Sequence, residues 1–265
     1  MSVRDSERRA VILAGGKGTR LGPFTTILPK PLLPVGDRAI VEIIIGQLRE
    51  SGFTRLTLAV GYLSHLIRAV LADGEAYEVS IDYHLEHTPL GTAGALAGIE
   101  DLSEPFLMMN GDVITTLDYD DLMRAHERSG NMLTVATQVR TATIDFGVLE
   151  LDKGDGFTDA VVGYHEKPHR DYVVSMGIYV LDPALLELIE PGTHLDFPDL
   201  VLRAIAAGLR VGSYRYDGLW LDIGRHDDYE RAIAEFSDMD SVLVVEQPAP
   251  APPHLGRKLG SGIPR

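Results

Sequence analysis

The chain contains no cysteine, a single tryptophan and few basic residues for its length of 265. The missing cysteines remove disulfides, thiolate metal sites and a cysteine nucleophile together, as fits a cytoplasmic enzyme. The 24 Lys and Arg are outnumbered by 39 Asp and Glu, for a formal net charge of -15. Nucleic acid and anionic membrane both require a broad basic face, so neither is an expected partner. Nowhere do apolar residues run uninterrupted for the ~18 positions of a membrane span. Residues 1–9 are polar and lack the apolar core of a secretory signal, and no internal repeat is visible. What these absences leave is a cytoplasmic protein long enough to bury one large core.

A further absence is local. From Ala10 to Gly36 there is no Asp or Glu, although the chain as a whole is acidic. The same stretch holds Lys17, Arg20 and Lys30, and a glycine cluster runs from Gly15 through Gly18. It follows the apolar run Ala10-Val11-Ile12-Leu13-Ala14, which reads as a buried strand. A cationic, glycine-rich loop at the C-terminal end of such a strand is where an α/β protein holds phosphate groups. The expected ligand carries several negative charges.

The first half alternates strand-like and helix-like segments. Residues 39–51 show helical apolar spacing (Ile40, Ile43, Ile44, Leu48) and stop at Gly52. A strand over 55–60, a helix over 63–72 and strands over 79–85 and 105–109 follow, the last running into Asn110-Gly111-Asp112. Short apolar strands separated by helices predict parallel strands with right-handed crossovers, hence a doubly wound sheet. Its ligand belongs at the C-terminal strand ends, where the glycine loop and Asp112 both fall. The second half is richer in strands, expected over 132–139, 147–151, 160–166, 173–181, 211–216 and 220–222, with helices near 184–189 and 198–207. These strands read as an extension of the same sheet, bearing a second substrate. From Glu246 onward the Pro-rich run reads as a flexible tail.

The glycine loop is not a Walker A loop, because Gly18 rather than Ser or Thr follows Lys17, and Leu21 stands where a dinucleotide fingerprint needs Gly or Ala. Backbone N–H groups at Gly15, Gly16 and Gly18 can still approach phosphate oxygens without a Cβ in the way. Arg20 can grip a phosphate through its planar fork. Pro29-Lys30-Pro31 stiffens the backbone around one ammonium group, which suits charge developing on a leaving group. Taken alone, the glycine cluster also reads as a tight strand-to-helix turn, and Pro29-Lys30-Pro31 equally as a kinked surface loop. His84, His87, His165 and His169 lack a metal-ligand pattern, and Trp220 reads as a core residue.

Taken in order, the motifs resemble those of the sugar-1-phosphate nucleotidyltransferases, or nucleotide-sugar pyrophosphorylases. Gly15-Gly16-Lys17-Gly18-Thr19-Arg20-Leu21 with Pro29-Lys30-Pro31 is similar to the family's signature. Pro89-Leu90-Gly91-Thr92-Ala93-Gly94 resembles its nucleoside segment, Asn110-Gly111-Asp112 and Trp220-Leu221-Asp222 its two metal-binding strand ends, and Glu166-Lys167-Pro168 its sugar-phosphate motif. The likeness covers residues 9–236. Two positions depart from it: Gly22 after Thr19-Arg20-Leu21, and Ser175 near a position where the family often has Asn.

The resemblance implies a Rossmann-like doubly wound mixed sheet with a strand-rich sugar-binding second half, residues 10–130 serving the nucleotide and 131–245 the sugar phosphate. It implies Arg20, Lys30 and Lys167 as catalytic cations. The nucleotide would be held by Leu13, Ala14, Gly15, Gly16, Gly18 and Thr19, together with Glu86, Pro89, Gly91, Thr92 and Gly94. The sugar phosphate would meet Asn110, Gly111, Glu166, Lys167, Ser175 and Gly177, and Asp112 with Asp222 would hold Mg²⁺. The substrates expected are a nucleoside triphosphate, GTP favoured, and a sugar 1-phosphate or related cyclitol phosphate, with no nucleic acid and no membrane. A homo-oligomer is compatible with the resemblance. Because the hexapeptide-repeat domain of some relatives is missing, a second, acetyltransferase activity is not expected. A nucleotide-sugar-dependent glycosyltransferase and a non-catalytic sensor of nucleotide sugars are the competing readings. Pyrophosphate release separates them.

Overall fold

The computed structural model describes residues 8–152 and 159–239. Most of the expected N-terminal extension and the whole Pro-rich tail lie outside the described residues. In chain order the elements are β1 (Arg8–Ala14), β2 (Pro34–Val35), β3 (Arg38–Ala39), α1 (Ile40–Glu50), β4 (Phe53–Val60), α2 (Ser64–Leu71), β5 (Ser80–Leu85), α3 (Gly91–Gly94), β6 (Phe106–Asn110), β7 (Val113–Thr115) and α4 (Tyr119–Ser129). Then come β8 (Leu133–Thr143), β9 (Val148–Asp152), β10 (Ala160–His165), β11 (His169–Leu181), α5 (Phe197–Ala206), β12 (Val211–Arg215), β13 (Trp220–Asp222) and α6 (His226–Met239).

Seven strands form one sheet in the order β12-β8-β11-β6-β1-β4-β5. Its pairs are parallel except those β11 makes with β6 and β8. Side-chain alternation along the strands feeds two cores. Ala10, Ile12 and Ala14 of β1, with Leu107 and Met109 of β6, join the cluster under α1, α2, α4 and α6. Val11, Phe106 and Met108 point the other way, into the cluster that holds Phe197, Leu200 and Ala204 of α5. Helices thus cover both faces, which makes the sheet doubly wound and mixed, as the alternation of apolar runs predicts. Helix α1 carries the expected stripe: Ile40, Ile43, Ile44 and Leu48 are fully buried, and the Glu42 carboxylate accepts the Ala39 N–H at 2.8 Å.

Three expectations about the second half need correction. The strands expected over 147–151 and 160–166 do not extend the main sheet; β9 and β10 pair only with each other. Leu149, Leu151, Val161 and Tyr164 are 47% to 62% exposed, so a continuous apolar run here marks an arm rather than a buried strand. The strand over 220–222 is likewise outside the main sheet, since β13 pairs with β7. Finally, β8 and β11 run beyond their expected ends, because their outer halves pair with each other past the edge of the core, with exposed side chains. Among the described residues no helix is long and apolar enough to cross a membrane.

Candidate active site

Strands β4, β1 and β6 lie side by side and parallel, and each is followed directly by a glycine: Gly61, Gly15 and Gly111. A Cβ on Gly61 would stand 3.0 Å from the Gly15 carbonyl oxygen, and one on Gly111 2.8 Å from that of Leu13. The Gly111 N–H donates to Leu13 O at 2.9 Å. Close-packed strand ends form the floor of a cleft of about 740 Å³. The volume suits a small-molecule ligand.

Many of the residues expected from sequence line this one cleft. Leu13, Ala14, Gly15, Gly16 and Gly18 come from the β1 end and the loop after it, Lys30 from farther along that loop. Gly18 has φ +60°, and a Cβ there would approach Thr25 Cγ2 to 2.9 Å, so both conformation and space select glycine. Glu86, Pro89, Gly91 and Thr92 form a second wall. The Glu86 carboxylate accepts the Leu90 N–H at 3.2 Å. Asn110, Gly111 and Asp112 complete the cleft.

The Gly91–Gly94 segment is held by a distant part of the chain. The N–H groups of Ala93 and Gly94 both donate to Leu195 O at 3.0 Å, and Thr92 Oγ1 accepts the Phe197 N–H at 2.7 Å. Gly94 itself is buried against the Thr193 carbonyl rather than facing the cleft. Its glycine serves the docking of this wall.

At one end of the cleft charged groups converge. Lys30 Nζ forms an ion pair with Asp112 Oδ2, while Asp112 Oδ1 is buried with no hydrogen-bond partner among the described residues. Asp222 is paired in register with Val113, and the Ile223 N–H donates to Asp112 O at 3.0 Å. The two aspartates thus stand at adjoining strand ends, although they lie 110 positions apart in the sequence. Asp222 is exposed as a residue, yet partial burial of its carboxyl, and then the neighbouring Asp112 carboxylate, raise its pKa from the ordinary value, while Lys30 and Arg20 act in the opposite direction. Arg20 is exposed on the short turn Thr19–Leu21, secured by the buried Leu21. Thr19 is exposed on the same turn.

The remaining expected residues lie apart from this lining. Glu166 and Lys167 are exposed on the turn between β10 and β11, Lys167 at φ +45°, with the Tyr164 hydroxyl donating to Glu166 at 2.9 Å. Ser175 and Gly177 occupy the irregular stretch of β11. The Ser175 hydroxyl bonds to that of Tyr179, and Gly177 packs against the Asn110 amide, which a Cβ would approach to 2.6 Å. Trp220 packs on the core, its indole N–H donating to Met176 O at 3.0 Å with Arg140 over the ring at 4.7 Å.

Sequence reasoning passed over Gly61 and Tyr62, which line the cleft, as do Pro31, read there as a backbone stiffener, and His87, read only as no metal ligand. Gly61 and Tyr62 could have been found from the strand order alone, since they follow the strand next to β1. Lys17, noted for its charge, also lines it. Among the described residues no group of three or more His, Asp or Glu forms a ready metal cage. A site of two carboxylates is nonetheless what Mg²⁺ prefers when phosphate oxygens and water supply the rest. The partnerless Oδ1 of Asp112 and the adjoining Asp222 fit that role.

The chain is similar throughout this region to proteins of known name. A uridylyltransferase from Synechocystis sp., named UTP–glucose-1-phosphate uridylyltransferase, is 29% identical over 245 residues, 85% of this chain and 62% of the relative. The mannose-1-phosphate guanyltransferase of Schizosaccharomyces pombe is 34% identical over 230 residues, 83% of this chain and 62% of the relative. The chain therefore spans about three fifths of the length of these curated relatives. The crystal structure of HddC from Yersinia pseudotuberculosis superposes with a TM-score of 0.64 at 25% identity, covering 86% of this chain and 99% of that one. The family model described as nucleotidyl transferase matches residues 9–238. With its Rossmann-like sheet and nearly every described residue inside that match, the chain belongs to the nucleotidyl transferase family.

Proposed function

We propose that the chain transfers a nucleotidyl group from a nucleoside triphosphate, GTP in preference, to a sugar 1-phosphate, giving a nucleoside-diphosphate sugar and pyrophosphate. The observation that carries the reading is the Lys30–Asp112 ion pair, with Asp222 at the adjoining strand end, beside a glycine-floored cleft. In this reaction a phosphate oxygen of the sugar attacks the α-phosphorus, and the bond to the β-phosphate bridging oxygen breaks. The attacking oxygen is ionised near neutral pH, so the site needs no strong base; it needs alignment and charge neutralisation.

The chain's own groups supply both. The Gly15–Gly18 backbone cradles the triphosphate, and Arg20 and Lys30 face the charge that builds on departing pyrophosphate. Asp112 and Asp222 would hold Mg²⁺, which when bound neutralises phosphate charge and draws the phosphate oxygens together. Lys167 would hold the sugar phosphate and Glu166 the sugar hydroxyls, from the arm over the second half.

Glu86 supports the preference for GTP. An ionised carboxylate only accepts hydrogen bonds, and guanine offers two adjacent donors, its ring N–H and its amino group. Uracil and thymine offer one N–H between two carbonyls, which a carboxylate repels. The relation to the mannose-1-phosphate guanyltransferase agrees with this. The experiment is a panel of nucleoside triphosphates against sugar 1-phosphates with Mg²⁺, scored for pyrophosphate. Release that requires both substrates, fastest with GTP, is expected; release with no pair would overturn the reading.

A further inference from the structure

We propose that His226 and Tyr229, on the first turn of α6, are positioning residues that clamp the cation-bearing loop against the strand end carrying Asp222. The inference rests on the reaction proposed above and adds to it the device that fixes the geometry.

The loop from Gly15 to Pro34 contains only short turns, and its Phe24 and Ile27 side chains are 50% and 79% exposed. Leu21, Leu32 and Leu33 root the two ends of the loop in the core, but residues 22–24 and 26–27 between them are exposed, and such a stretch sits at the low end of local stability. It joins Arg20 to Lys30, whose placement must be kept within a fraction of an ångström for charge neutralisation to help. The exposed stretch is held from outside the loop.

Helix α6 reaches it at two points. A ring nitrogen of His226 lies 2.9 Å from Gly22 O, so that nitrogen carries the proton and donates it. The Tyr229 hydroxyl donates to Pro34 O at 2.6 Å. Between these points the Phe24 ring leans on both, its centroid 5.8 Å from that of His226 and 6.4 Å from that of Tyr229. The two anchored carbonyls flank Lys30, and Gly22 follows Arg20 by one residue, Leu21. At its other end the clamp is tied to the carboxylates. His226 follows Asp222 through Ile223, Gly224 and Arg225, and the Ile223 N–H donates to Asp112 O. A single helical turn therefore joins the aspartates to the loop that bears their opposing cations. Packing alone does not account for His226, which is exposed; its directed hydrogen bond does.

The test compares His226→Ala, His226→Gln and Tyr229→Phe with the wild type. Glutamine retains an N–H donor at a similar reach. We expect His226→Ala to speed amide hydrogen exchange at residues 21–28 by about three- to tenfold, the worth of one hydrogen bond, with β1 unchanged. The KM for GTP should rise by a similar factor while the KM for the sugar phosphate stays put, and His226→Gln should recover both. Tyr229→Phe, which removes one hydroxyl, should shift the same two readouts if His226→Ala fails to fold. Unchanged exchange, an equal rise in both KM values, or glutamine behaving like alanine would overturn the clamp. If the wild type releases no pyrophosphate from any pair, the reaction is refuted and the exchange comparison alone decides the clamp.

Discussion

In the reaction proposed above, single carboxylates carry most of the chemistry. Asp112 already neutralises Lys30 through one oxygen and leaves the other buried without a partner. Asp112→Asn keeps the shape but removes the charge, so turnover should fall by about 100-fold or more, the scale of losing one preorganised electrostatic contact. The melting temperature should hold, and a variant with wild-type turnover would sink the assignment. Glu86→Gln should change choice more than rate. Replacing an acceptor-only group by an amide costs the proposed guanine pairing about 1–3 kcal/mol, so the ratio of kcat/KM for GTP over UTP should drop by about five- to 150-fold in competition assays. The chain displayed these residues openly, because each stands at a strand end announced by glycine or proline. Lys167 was as visible in sequence, but its exposed turn gives it no contact with Asp112 in this state.

Elements were legible where burial imposes a period. The strand over Arg8–Ala14 and helix α1 follow from their apolar spacing. Helices α4 and α6 went unread: α4 opens with Asp120 and Asp121 and α6 with Asp227 and Asp228, so charge conceals their buried stripes. The α4 ends carried signals all the same, Asp118 accepting the Asp121 N–H at the start and Gly130 at the close. The same helix holds His126, buried and hydrogen-bonded to Thr134 at 2.9 Å. Burial lowers its pKa from the ordinary 6.5, against the pull of Asp182 and Glu127. The folded protein thus binds that proton less readily than the unfolded chain. Its contribution to stability is complete above 6.5 and is lost as pH falls through the lowered value. His126→Gln, which cannot titrate, should lose less melting temperature than the wild type between neutral pH and about pH 5. An equal loss in both would remove this histidine from the acid response.

Across the molecule, apolar side chains carry very different loads. Ile43 is fully buried in the larger core, whereas Val161 on the β9–β10 arm is 59% exposed. Ile43→Ala should cost about 2–5 kcal/mol, while Val161→Ser should stay within about 0.5 kcal/mol, both read from denaturant unfolding. Comparable losses would mean that the arm is packed in solution. That split was illegible in sequence, where a run of Val and Tyr reads the same on an arm as in a core.

The strand order has a final consequence. Strand β11, from the second half, lies between β6 and β8, and the Leu195 carbonyl props up the wall formed by Gly91–Gly94. A fragment ending near residue 130 would keep the glycines Gly15, Gly16 and Gly18 yet bare one flank of β6 and lose the prop beneath the Gly91–Gly94 wall. The two halves of the chain are therefore not interchangeable modules. Reshaping this scaffold means altering side chains in place, because swapping whole halves would dismantle the cleft along with them.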